Sequence, residues 1–169
     1  PVKIIEVMGR NSGWLVAAAA LGKKRPADPP HLLYFPERAF DEQRFLRDVR
    51  RIYRLFGYVI VVISETIRDG KGNRIGERQS GITCDSFGHK YVEGAAQHLC
   101  RLVEARLHIR ARYDKPGTIQ RMSTRYRSVR DEREAYRAGV AAVRYALRGL
   151  SEIMVTIERK STHPYRSVC

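Results

Sequence analysis

Cysteine is scarce in this chain and follows no motif. Cys84, Cys100 and Cys169 form an odd set with no Cys-x-x-Cys spacing. That excludes a disulfide framework and a cysteine-based zinc site, and makes a reducing cytoplasm the default compartment. Long hydrophobic runs are missing too. The longest, near residues 58–63, falls far short of the roughly 20 apolar residues of a membrane-spanning helix, so no membrane partner is expected. The opening Pro1-Val2-Lys3 leads into a strand-like run with no signal-peptide pattern. Acidic residues are few: 18 Asp and Glu stand against 32 Lys and Arg, mostly arginine, giving a formal charge of +14. The excess points to an anionic partner, either nucleic acid or a phosphorylated small molecule. The basic residues are spread along the chain, however, and no aromatic residues interleave with them at an RNA-binding spacing. No nucleic-acid partner is therefore expected, although a basic nucleic-acid binder stays open as an alternative.

What is present reads as alternating strand and helix. With 169 residues, 43% of them hydrophobic, the chain suffices for one globular core. Residues 2–7 read as a strand and 12–21 as a helix closed by Gly22. Residues 23–30, with three prolines, form a loop, and 31–35 a second strand. Asp41 is placed to cap a helix whose Phe45, Leu46, Val49, Ile52, Tyr53 and Phe56 share one face, with Gly57 as its stop. Residues 58–64 lack polar alternation, as a strand covered on both faces does. A mobile surface loop is expected over 68–81, a helix over 91–107 and a short strand over 108–113. Asp131 and Glu134 suggest a capping-box start to a helix ending at Gly149, with a last strand over 153–157. The pattern predicts an α/β layer with a mainly parallel sheet, whose ligands sit beyond the carboxyl ends of the strands.

The most informative stretch is Met8-Gly9-Arg10-Asn11-Ser12-Gly13-Trp14, a strand running through a tight loop into a helix. Unpaired N–H groups and a helix dipole at such a junction suit an anion, and Arg10 adds a forked cation. Pro36-Glu37-Arg38 and Pro116-Gly117-Thr118-Ile119-Gln120-Arg121 share that geometry. If all three turns converge on one sheet edge, Arg10, Arg112 and Arg121 surround a phosphate while Glu37 accepts from hydroxyls. A sugar phosphate requires that mixture.

At these residues the chain resembles the phosphofructokinases, specifically their sugar-phosphate-binding half, over nearly its whole length. Met8-Gly9-Arg10 with Ser12-Gly13-Trp14, Phe35-Pro36-Glu37-Arg38, Asp85-Ser86-Phe87-Gly88-His89, the 112–121 segment and Asp131-x-x-Glu134-Ala135 recur in the family's order. The resemblance implies that Met8, Gly9 and Arg10 contact the sugar phosphate and that Glu37 holds a sugar hydroxyl. It implies that Arg112 reaches the 6-phosphate in a neighbouring subunit of a homo-oligomer, with Thr118 and Arg121 closing the site. The implied activity is the glycolytic, magnesium-dependent transfer of a phosphoryl group from pyrophosphate or ATP to fructose 6-phosphate. Lys115-Pro116-Gly117-Thr118 looks more like the pyrophosphate-using branch.

The family's Gly-Gly-Asp segment and Thr-x-Asp-Asn-Asp loop do not occur in this sequence. No catalytic residue and no magnesium ligand is therefore assigned to it, both being expected in a part preceding Pro1. The chain reads as a partial domain, with a substrate lobe over about 1–117 and a segment over about 118–169 returning toward the donor lobe. It is expected to be inactive alone, and a non-catalytic sugar-phosphate-binding module remains an alternative. Other residues have plainer readings: His89 and Asp85 as capping and turn residues, Trp14 as core, and Cys84 and Cys100 as buried small hydrophobes.

Overall fold

The computed structural model describes residues 1–76 and 94–169. Cys84 and the 85–89 motif lie outside the described residues. The chain divides into two compact units, Pro1–Gln120 and Arg121–Cys169.

The first unit is built on a four-stranded sheet in the order β2-β3-β1-β4, every neighbouring pair parallel. Its strands are β1 (Val2–Val7), β2 (Leu32–Tyr34), β3 (Val59–Ser64) and β4 (Ala111–Asp114). Along β1 the side chains alternate, so Val2, Ile4 and Glu6 turn inward. β3 is buried at almost every position, as its unbroken apolar run requires. The helices of this unit include α1 (Trp14–Ala18), α2 (Glu42–Phe56) and α3 (Ala95–Leu107).

α2 follows the pattern read from sequence except at its last residue, Phe56, which is exposed rather than on the buried face. The Asp41 side chain accepts from the Arg44 N–H at its start, and Gly57 adopts a left-handed φ of 74° at its end. Its buried face is Phe45, Leu46, Val49 and Ile52, and Tyr34, Phe40 and Phe45 form an aromatic cluster beside it. Burying a side chain such as Phe45 contributes on the order of 1.5–3 kcal/mol. α3 presents Ala95, Ala96, Leu99, Cys100 and Val103 to the same core. Burial, with the Glu104 carboxylate nearby, pushes the Cys100 thiol up to about 12, which keeps it protonated and inert.

Several expectations are corrected. α1 has five residues rather than ten, because its alanines supply no apolar face and Val16 alone is buried. Trp14 is 82% exposed, not core. His108 is not in a strand; it caps α3 in the left-handed region, so β4 begins three residues later.

The second unit holds α5 (Val129–Leu147) and an antiparallel hairpin of β5 (Glu158–Thr162) and β6 (Tyr165–Val168). The short α4 (Ile119–Met122) lies at the junction of the two units. Ser128, not Asp131, caps α5, its side chain accepting from the Asp131 N–H. Glu134 turns to the Tyr165 hydroxyl instead of closing a capping box. Residues 153–157 form no strand, and Ile153, Met154 and Ile157 are exposed. An apolar run becomes a strand only where a neighbour accepts its hydrogen bonds, and among the described residues none does.

Candidate functional site

Because all four strands of the first unit are parallel, their carboxyl ends share one edge. The loops after β1, β2, β3 and β4 therefore emerge together. The loop after β1 is the tightest. Gly9 has a φ of +131°, and a Cβ there would lie 2.4 Å from the Ser12 carbonyl oxygen, so only glycine fits. The Ser12 N–H donates to the Gly9 carbonyl, and so does the fully buried Ser64 hydroxyl from the end of β3.

Side chains from the neighbouring loops take the N–H groups of this loop. Met8 N–H donates to Gln120 Oε1 at 3.2 Å, Gly9 N–H to Glu65 Oε1 at 3.4 Å, and Gly13 N–H to Glu37 Oε1 at 2.7 Å. The helix-dipole reading of this site is thereby corrected. A five-residue α1 carries little dipole, and the leading N–H donors are already engaged. The anion-binding capacity that remains is Arg10, exposed and without an ion pair among the described residues.

Glu37 acts here as a clasp between the β2 loop and α1. It packs closely enough that a Cβ on Gly13 would collide with Phe35 at 2.5 Å and with Glu37 Oε2 at 2.8 Å. Glu65 occupies a more central place, directly after β3 and level with Met8, its own N–H donating to the Val7 carbonyl. Sequence reasoning passed over Glu65. The available signal was a carboxylate immediately after a fully apolar strand, but only the strand order shows that this strand lies beside β1.

The 115–120 loop is fastened to β1 twice. Lys115 Nζ lies 3.1 Å from Glu6 Oε1, and Gln120 reaches Met8, the residue just after the strand. Glu6 is buried, and its other oxygen accepts from the Ala96 N–H at 2.8 Å, doing at the start of α3 what Gly94 has no side chain to do. Thr118 sits in this fastened loop and is exposed.

Arg112 is not at that edge. β4 pairs with residues 2–5 of β1, which sets Arg112 level with Lys3. That is five residues short of Met8, about 16 Å along the strand. Within one chain Arg112 therefore does not join Arg10, contrary to the convergence expected from sequence. Arg121 opens the second unit. The structure thus gathers Met8, Gly9, Arg10, Glu37, Glu65 and Thr118 on one edge of the first unit. Among the described residues no group of three or more His, Cys, Asp or Glu stands together to hold a metal ion.

Comparison with known proteins bears on this arrangement. The family model described as phosphofructokinase matches residues 1–146. A pyrophosphate–fructose 6-phosphate 1-phosphotransferase of Xanthomonas campestris is 40% identical over 165 residues, covering 98% of this chain and 39% of the relative. An ATP-dependent 6-phosphofructokinase of Mycobacterium bovis is 34% identical, covering 92% and 43% respectively. Among solved structures, the pyrophosphate-dependent phosphofructokinase of Marinobacter aquaeolei superposes with a TM-score of 0.61 at 33% identity, over 99% of this chain and 37% of that one. The chain spans about two fifths of the length of these relatives. With a family model covering most of its residues and the same parallel α/β fold, the chain belongs to the phosphofructokinase family.

Proposed function

We propose that this chain supplies the fructose-6-phosphate site of a 6-phosphofructokinase, a cytoplasmic, homo-oligomeric enzyme of glycolysis. In the reaction the sugar's 1-hydroxyl oxygen forms a bond to the terminal phosphorus of pyrophosphate or ATP. The bond to the leaving phosphate or nucleoside diphosphate breaks, and the hydroxyl proton passes to a base not assigned to this chain. Magnesium, when bound, neutralises charge on the donor, and none of its ligands is assigned here. What this chain contributes is position.

The observation that carries the reading is the β1 loop. Gly9 brings the backbone to the sheet edge, Arg10 stands there with no ion pair among the described residues, and the Glu65 carboxylate lies against Gly9. Arg10 is suited to the 6-phosphate as a bidentate donor. Glu65, with a second oxygen to offer, is suited to accept from a sugar hydroxyl, the role the sequence reading gave to Glu37. Glu37 then acts by holding Gly13. Thr118 closes the site, Arg121 offers a further cation to a phosphate, and Arg112, exposed on β4, serves a phosphate in a neighbouring subunit. The relatives named above use either donor, and Lys115-Pro116-Gly117-Thr118 favours pyrophosphate.

Titration calorimetry of the chain with fructose 6-phosphate, and with fructose as control, tests this. Binding is expected for the phosphorylated sugar alone, weakened by about 1.5–3 kcal/mol in Arg10→Ala, the range of a charge-assisted hydrogen bond. Equal affinity for both sugars, or an Arg10→Ala variant that binds normally, overturns the assignment. A coupled assay of the same sample is expected to show no phosphotransferase turnover.

A further inference from the structure

The second unit carries a feature that the fructose reading leaves unused. Along α5, Arg130, Arg133 and Arg137 face a groove whose other wall is the hairpin, with Lys160, Tyr165, Arg166 and Ser167. The groove is open and holds about 750 Å³, within the range of small-ligand sites. Among the described residues that line it, Glu134 alone is acidic. The Tyr165 hydroxyl donates to Glu134 Oε1 at 2.6 Å. Hydrogen bonds from the Ser167 and Tyr165 hydroxyls hold the Glu134 carboxyl below its ordinary range. The charges of Arg130 and Arg137 lower it further, so one carboxylate stands among several cations.

The cations divide into two sets. Arg130 is stacked over the Tyr165 ring at 4.1 Å, Arg137 donates to the Ser167 carbonyl at 2.9 Å, and Lys160 pairs with Glu158. These are fixed. The side chains of Arg133 on α5 and Arg166 on β6 have no hydrogen bond or ion pair among the described residues. Like charges gathered around a concave surface repel one another, and a bound anion relieves that repulsion.

We propose that this groove binds a linear polyphosphate group, with Arg133 and Arg166 clamping it from opposite walls and the fixed Arg130 and Arg137 completing the positive lining. The span from Arg130 to Arg137 is about 10 Å along the helix axis, which suits two or three linked phosphates. A nucleic-acid backbone requires a longer basic track. Inorganic tripolyphosphate and the triphosphate of a free nucleotide offer the same chemistry to these arginines. The proposal does not rest on the fructose reading.

The test is titration calorimetry of the full 169-residue chain with inorganic tripolyphosphate at fixed ionic strength. One site per chain is expected, with affinity reduced about tenfold in each of Arg133→Gln and Arg166→Gln, as loss of a charge-assisted pair implies. Both side chains are exposed, so the fold is expected to persist, and circular dichroism checks it. Arg10→Ala is expected to leave this affinity unchanged, which separates the groove from the β1 loop. ATP binding no tighter than tripolyphosphate assigns the site to the phosphates alone; tighter binding adds a contact to the nucleoside, and both support the groove. Three results overturn it: no binding, an equal loss on neutralising Arg47 and Arg50 on α2, or a short single-stranded oligonucleotide that binds more tightly than tripolyphosphate.

Discussion

The two units are stabilised in opposite ways. In the first, side chains from three strands and two helices form a continuous apolar core around Ile4, Phe45, Val61, Ile63 and Leu99. In the second, α5 has no buried residue, and Val143, Leu147 and Ile157 are exposed. What joins α5 to its hairpin is polar: Tyr165 to Glu134, Arg137 to Ser167, and Arg130 on the Tyr165 ring. A helix–hairpin pair of this size buries little apolar surface, so directional contacts must set its geometry. Cooperative stability is therefore expected of the first unit and fraying of the second.

The largest expected effect is Phe45→Ala, which leaves a cavity in the first core and costs about 3–5 kcal/mol. Leu147→Ala, at an exposed position on α5, is expected to stay within about 0.5 kcal/mol. Urea unfolding of both variants checks this, and similar losses would break the contrast. Next is Gly9→Ala. Its φ and the Ser12 carbonyl strain any side chain by about 1–3 kcal/mol, and loss of fructose-6-phosphate binding should exceed the loss in melting temperature. Glu6→Ala follows. It strips Ala96 and Lys115 of their acceptor and is expected to cost about 1–3 kcal/mol, read by denaturation and by faster amide exchange in α3.

The smallest effect is one of pH. His31 Nδ1 accepts from the Ile60 N–H, and burial together with the nearby Lys23 charge lowers its pKa below 6.5. The unfolded chain then binds the proton more readily, so first-unit stability should fall as pH drops below about 6.5 and flatten in His31→Phe. Glu134, lowered from 4.5, contributes above that value and is lost only as pH falls through its lower folded value. Acid should thus loosen the first unit before the second. Melting curves from neutral pH downward, followed separately by amide signals of each unit, reveal the order.

Much of the first unit was legible because its signals are local. Asp41 and Gly57 bracket α2 through groups within a turn of each end, and the apolar run of β3 announces a strand covered on both faces. Met8-Gly9-Arg10 was legible as a tight loop after a strand because a glycine there permits the positive φ that the turn requires. Four things were not legible. Trp14 looked like core, yet its helix is too short to present a face. Residues 153–157 looked like a strand, yet hydrogen-bond partners are a property of the fold and not of the segment. Glu65 follows an apolar run, but its place beside Gly9 comes from the neighbour that only the strand order β2-β3-β1-β4 supplies. Arg112 seemed to share the edge that carries Arg10 because register cannot be counted from one strand alone.

The sequence by itself determined the family, the alternation of strand and helix, and the loop that carries Arg10, since each is written in residues close together in the chain. Tertiary structure alone decided which donors are already taken. Gln120, Glu65 and Glu37 reach Met8, Gly9 and Gly13 across 112, 56 and 24 positions. Hydrogen bonds over such separations exist only once the sheet has fixed its strand order and register.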